Sequence, residues 1–489
     1  MAFLGGVYLT QGHHFNRKPA DSETRRKRVE ADTRAQSILL GLNFFSEGGG
    51  MHVSPNLIKT ASEIKEVVTL GLDGEVIHLG KKPMTRRWGM NWVNNQAIGL
   101  FEEDYKGMSV EVLGCVACHS GKAAGHFYIG LGNKNVDVGA IGKDTYTNEV
   151  IWKDAIGAES LATLEPKSSD YKYVEDTAME FARTLKNPQL VNLTQGLVPT
   201  AIIRQWFYRM QGLPIPATFT RAAVKVPSFW GYGEKRKVGQ FCDGLGDGAQ
   251  PGWAIAVELV AGQKTEVVRR YITKIGVAED QIADLLPPEY PFPIDQERAA
   301  RGKTRFENTC AHCHGTYEKD VDGLPVYKAP NLIPWTVVKT DHDRLDGITP
   351  EFIQLIGKNP LNDILHQTDR PQGTGYFSPR LHAIWARFPY LHNGSVPSVA
   401  ALLTPPEQRP QAWDLTDVGE VNRFDAINLG LTLPEKDSDE EADLLEKAKK
   451  GVRSVYYTGR VGQSNVGHNF YTDIPETDKL DLIEYLKTL

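Results

Sequence analysis

The chain has 489 residues, 41% hydrophobic and 24% charged, with 55 basic against 61 acidic side chains. At about 150 residues per domain, that length holds two to four domains, large enough to bury cores without staples. A net charge of −6 excludes a broad basic footprint for nucleic acid, and no apolar run reaches the roughly 18 residues of a membrane span.

The opening, MAFLGGVYLTQGHHF, is apolar but has neither a basic flank nor a small-residue cleavage site, so no signal peptide is evident. Residues 22–41 predict a charged helix that turns apolar at its end, broken by Gly48-Gly49-Gly50. Residues 67–79 alternate as a short hairpin around Leu72-Asp73-Gly74. Residues 1–100 as a whole form an N-terminal extension of uncertain fold.

Next comes Cys115-Val116-Ala117-Cys118-His119, followed by a glycine-rich loop over residues 121–132. Helices are predicted over 170–186 and 199–211. Residues 287–294 are the clearest linker, because the prolines at 287, 288, 291 and 293 cannot continue a helix or a central strand. Beyond it, residues 296–308 predict a helix leading into Cys310-Ala311-His312-Cys313-His314. Residues 434–450 are a charged insert read as a solvated helix. A final helix starts at Pro475 and carries Leu482, Leu486 and Leu489 on one stripe.

Four of the five cysteines thus fall in two Cys-x-x-Cys-His motifs. Two thiols one turn apart can add to the two vinyl groups of one porphyrin, and the adjacent histidine then reaches the iron. A four-thiolate zinc site gives no reason for a histidine after each pair, and a thioredoxin-like motif occurs once, near a βαβ unit. The reading is two covalently bound c-type haems, on Cys115, Cys118 and His119 and on Cys310, Cys313 and His314. Cys242 is left over as a buried inert thiol. Covalent haem attachment implies a periplasmic or secreted protein, and this outweighs the missing signal.

Function turns on the sixth ligands, since a doubly ligated iron passes electrons and an open one binds oxygen or peroxide. All seven methionines precede the linker, so the second haem is expected to be His/His, with His/Tyr the alternative. Its candidates are His342, His366, His382, His392 and His468. His468, in a glycine-bearing loop before the final helix, suits the distal face; His392 in Pro389-Tyr390-Leu391-His392-Asn393-Gly394-Ser395 is the rival, with Tyr456 and Tyr471 weaker. For the first haem, His126 is tethered too close to His119, and Met84, Met90, Met179 and Met210 read better as core. An open or water-held first iron is preferred.

Gly114–His119 with Gly130-Leu131-Gly132-Asn133, then RGKTRFENTCAHCHG at 301–315, FPYLHNGSVP at 388–397, and 464–468 before the final helix together form a wider pattern. It resembles the bacterial di-haem cytochrome c peroxidase superfamily. That group includes the peroxidases, the enzyme that matures tryptophan tryptophylquinone, and haem-dependent rubber oxygenases. The missing C-terminal methionine departs from typical peroxidases and resembles the rubber-oxygenase-like branch. The resemblance implies a mostly α fold with two cytochrome-c-like haem domains, long loops and minor β hairpins. The first haem domain is 101–286, and the second is 295–489, an electron relay.

It further implies oxidant chemistry at the His119 haem. Phe229-Trp230 looks similar to the aromatic pair beside the oxygen-binding haem of those oxygenases; a plain core pair is the competing reading. Residues 243–248 read as a tight turn that lacks the spacing of a calcium loop. The expected function is an oxidoreductase that activates peroxide or dioxygen at the first haem. It would take an organic or protein substrate and be served by a small redox donor protein. A non-catalytic periplasmic electron carrier with both haems six-coordinate is the alternative, and a haem-bearing sensor or scaffold the third.

Overall fold

This computed structural model describes residues 67–70, 76–79, 86–93, 96–105, 108–113, 115–140, 193–199, 201, 208, 213–214, 222–232, 287–319, 321, 325–327, 332–357 and 375–489. The predictions at 22–41, 170–186 and 243–248 lie outside these residues, as does most of 199–211, although Pro199 ends the strand Leu197–Pro199.

Local pairing dominates. Every sheet among the described residues has two strands. The predicted hairpin forms, with Val67–Leu70 antiparallel to Val76–Leu79. A second hairpin, Leu100–Tyr105 with Met108–Leu113, leads into the one-turn helix Cys115–Cys118. The glycine-rich stretch after it is a hairpin rather than a loop: Ser120–Ala123 pairs with His126–Ile129. Its two-residue turn, Ala124 (φ 51°) and Gly125 (φ 82°), is left-handed at both positions, the twist that suits a tight hairpin.

Beyond the linker, helices carry more of the structure. Asp295 caps the helix Gln296–Asn308 by accepting from the backbone N–H of Glu297 and Arg298. The one-turn helix Ala311–His314 follows. The final helix Glu476–Leu486 lies against Gln296–Asn308, where Arg301 grips Asp481 through Nε (2.8 Å) and Nη2 (2.9 Å) and Arg305 meets Asp478 at 2.6 Å. The charged insert supplies the helix Asp439–Lys449, capped by Ser438 and laced by Asp443–Lys447 and Glu446–Lys450 pairs. Its Leu444 and Ala448 are buried with Ala412 and Val455, so one face is core rather than solvent.

A single buried cluster draws from both sides of the linker: Ile98, Tyr128, Leu197 and Trp230 before it, Phe306, Trp385, Tyr390 and Leu482 after it. The linker itself has neither helix nor strand, as its prolines dictate. It is also packed. Tyr290 is buried, with its ring 5.6 Å from Trp385 and 5.5 Å from Phe292.

Candidate haem sites

The first motif is held by its own downstream hairpin and by Asn133. The Asn133 backbone N–H donates to the Cys118 carbonyl (2.7 Å), its Nδ2 donates to the Ala117 carbonyl (2.9 Å), and Gly130 N–H donates to the His119 carbonyl (2.8 Å). These bonds satisfy the end of a helix too short to hold itself. His119 Nδ1 lies 3.0 Å from the Pro227 carbonyl, and the Phe229 ring stacks on the imidazole at 4.0 Å and 13°. Because a carbonyl can only accept, Nδ1 carries the proton and Nε2 keeps its lone pair. Burial lowers the His119 pKa to about 4, against the opposing hydrogen bond to Pro227, so the ring is neutral at pH 7.

Trp230 turns the other way. Its Nε1 donates to the Ile129 carbonyl (3.2 Å), and its ring meets Tyr128 edge-on at 6.0 Å. Tyr128 in turn meets Trp385 at 5.8 Å. The aromatic pair is therefore split between two duties: Phe229 fixes the imidazole face, and Trp230 joins the core.

The second motif repeats the arrangement. His314 Nδ1 lies 3.1 Å from the Pro379 carbonyl, which again frees Nε2, and burial lowers the His314 pKa. The His468 ring stands 6.3 Å from the His314 ring, centre to centre. Two imidazoles sharing one metal are about 6.3 Å apart, from two bonds of about 2.0–2.1 Å and about 1.1 Å from each nitrogen to its ring centre. His468 Nδ1 is buried without a hydrogen-bond partner, and burial, with the charges of His314 and Arg409, lowers its pKa to about 3. A neutral imidazole held opposite another fits a six-coordinate haem iron.

The His468 loop is shaped by its backbone. Gly467 has φ +77°, and a Cβ there would stand 2.2 Å from the Lys339 carbonyl carbon. The loop is also clamped. Arg409 donates through Nη1 to the carbonyls of Asn465 (2.6 Å) and Gly467 (2.9 Å), and through Nη2 to those of Leu402 (3.3 Å) and His468 (3.1 Å).

The other candidates lie elsewhere. His392 stacks on Tyr376 at 4.9 Å, while its carbonyl accepts from Lys225 N–H (2.9 Å). Tyr456 stacks on Trp413 at 4.4 Å and donates to the Asn393 carbonyl (3.0 Å). Tyr471 is exposed, His382 packs on Tyr317 at 5.4 Å, and His342 bonds Asp346. Met90 is buried core, whereas Met84, Met179, Met210, His366 and Cys242 lie outside the described residues.

None of the described motif cysteines, Cys118, Cys310 and Cys313, is in a disulfide. Burial raises all three, Cys118 to about 11. A redox dithiol needs a lowered thiol pKa, so these sites are poor thioredoxin-like centres. Among the described residues no three His, Cys, Asp or Glu side chains gather as a metal-ion site. The Pro227 and Pro379 carbonyls and the Arg409 clamp escaped the sequence reading, since main-chain acceptors leave no residue-type signal.

Comparison with known proteins gives a family match at residues 375–414, described as RoxA-like, cytochrome c-like. This segment contains FPYLHNGSVP and neither Cys-x-x-Cys-His motif. It links that part of the chain to cytochrome c-like proteins, which carry covalent haem. Two curated relatives come from Sinorhizobium fredii (strain NBRC 101917 / NGR234). The uncharacterized protein y4iM is 28% identical over 245 residues, 44% of this chain and 54% of that protein. The uncharacterized protein y4iJ is 36% identical over 124 residues, 23% of this chain and 18% of that protein. The chain thus spans about half of one relative and under a fifth of the other.

Proposed function

We propose that this chain is a periplasmic or secreted di-haem c-type oxidoreductase of the di-haem peroxidase superfamily, on the rubber-oxygenase-like branch. Its fold is read as mostly α, with two cytochrome-c-like haem domains either side of residues 287–294. His119 would hold the haem that supplies peroxide or dioxygen activation, and His314 would hold the one that supplies electron storage. The RoxA-like match and the cytochrome c link over 375–414 support a haem protein with a redox role. Among the described residues no helix is long and apolar enough to cross a membrane.

The observation that carries the reading is the pairing of His314 with a second imidazole, that of His468, 6.3 Å away. Phe229 lies flat against the His119 ring rather than beyond its Nε2, so it bears on the orientation of that ring and not on a sixth ligand. Cys115, Cys118 and His119 would hold one haem, and Cys310, Cys313, His314 and His468 the other. When bound, haem supplies oxidant activation where a coordination position is open and one-electron storage where it is closed.

The chain's own residues do the positioning. Pro227 and Pro379 hold the proton on Nδ1 of His119 and His314, which leaves Nε2 as the donor atom. Phe229 fixes the His119 ring plane and excludes water from its face. Trp230, Tyr128, Trp385 and Tyr290 form an unbroken run of edge-on ring contacts across the shared core. The substrate is an organic molecule or a protein side chain, and a small redox protein supplies electrons.

Carbon monoxide added to the reduced holoprotein tests the assignment. One CO adduct per chain is expected, and a His119→Gly variant should shift the Fe–CO stretch of that adduct while keeping the low-spin bands of the other haem. Absence of any adduct leaves the electron carrier, and an adduct whose Fe–CO stretch is indifferent to the variant reverses the two roles.

A further inference from the structure

The two proximal histidines are supported at points that converge on residues 387–390. Lys225, at the end of the strand Ala223–Lys225, lies two residues before Pro227, the acceptor of His119. Its Nζ donates to the carbonyls of Arg387 (2.6 Å) and Pro389 (2.7 Å). Lys134 is 8% exposed; its Nζ donates to the Lys122 carbonyl (2.7 Å) and lies 4.4 Å from the centre of the Phe388 ring. Arg387 donates through Nη1 to the carbonyls of Arg380 and His382, and Arg380 follows Pro379, the acceptor of His314.

Three cations therefore meet where the two haem supports meet, and their polar contacts among the described residues are main-chain carbonyls. Each retains donors: one N–H on Lys225, two on Lys134, and the Nε and Nη2 groups of Arg387. Their charges repel, and Lys225 is held well below the ordinary lysine range by burial, then by Arg387 and Lys134. Lys134 is buried and Lys225 and Arg387 are half-buried; cations drawn from water without an anion are costly, and a carboxylate pair placed among them reduces that cost. Each haem carries two propionate carboxylates.

We infer that Lys134, Lys225 and Arg387 form a partly buried carboxylate site that takes haem propionates and fixes both cofactors to one segment. This rests on the di-haem reading above. The site sets cofactor orientation and, because nearby positive charge favours the ferrous state, holds the reduction potential up.

Resonance Raman of the wild-type holoprotein in H2O and D2O tests it, with intact mass on the same sample. The propionate bending band should shift in D2O, because its donors are exchangeable N–H groups. Lys134→Met and Lys225→Met should lose that shift and move the oxidised-to-reduced ratio about tenfold toward oxidised at a fixed potential. That is about 59 mV for one electron. Lys225→Arg should retain both wild-type properties. If the methionine variants do not fold, the wild-type D2O comparison decides alone.

Two haem adducts with a band indifferent to D2O overturn the inference and leave the di-haem reading standing. A chain without adducts overturns both. Wild-type spectra that change on adding acetate would identify a free carboxylate as the occupant and overturn the propionate assignment.

Discussion

At the scale of single residues the candidate site depends on side chains outside the two Cys-x-x-Cys-His motifs. Arg409 sets the height of the His468 loop through three of its carbonyls, and burial lowers its own pKa to about 10, still charged at neutral pH. Replacing it with glutamine removes most of those donors and leaves buried carbonyls unpaired, which costs about 1–3 kcal/mol at that loop. Arg409→Gln should therefore convert part of the low-spin haem to high-spin, with Arg409→Lys intermediate, as read by visible absorption. An unaltered spectrum would mean that the loop holds itself. Both Cys-x-x-Cys-His motifs stand out in sequence because covalent chemistry fixes residue type and spacing, and His468 is proposed from its glycine-bearing loop before a helix; the structure sets its ring 6.3 Å from that of His314. Arg409 left no such mark, since its acceptors are backbone atoms 56 to 59 residues away.

At the scale of elements the decisive contact is between the helices Gln296–Asn308 and Glu476–Leu486. Gly302 lets them touch: a Cβ there would lie 1.9 Å from the Asp481 carbonyl oxygen. Gly302→Ala should destabilise by about 1–3 kcal/mol through forced separation, measured by denaturant unfolding. A neutral result would show that the helices can part freely. Asp481 is buried, and the hydrogen bond from Arg301 holds its carboxyl below the usual range. A depressed folded-state pKa contributes stability above the unfolded value of about 3.9 and loses it as pH falls through the folded value. Wild type should therefore melt above Asp481→Asn at pH 7, with the gap closing in acid below about pH 4. A gap constant with pH would assign the difference to packing.

The first of these helices forms where the sequence predicts it, over 296–308, with Asp295 as its cap. The hairpin after the first motif was not, because Ser120–Ala123 is buried on both faces and shows no alternation. Its Ala-Gly turn also lacks the usual Asn-Gly signature.

At the scale of the whole molecule the sequence suggests two domains on a proline hinge, and among the described residues one buried cluster draws on both sides of a packed linker. Contacts across that core are specific: Asp137 meets Arg453 at 3.0 Å, Thr194 donates to Gln463 at 2.9 Å, and Lys122 meets Glu420 at 2.8 Å. Such partners lie hundreds of positions apart, and no local pattern announces them. Holding both sites on one core suits electron exchange between fixed centres. The central claim is that one iron is closed by His314 and His468 and the other keeps a position vacant beside His119. Electron paramagnetic resonance of the oxidised holoprotein, with spins counted per chain, tests it most directly. Two ferric haems are expected, one low-spin with bis-imidazole character and one high-spin; two low-spin signals, or a single haem, would overturn the proposed division between the sites.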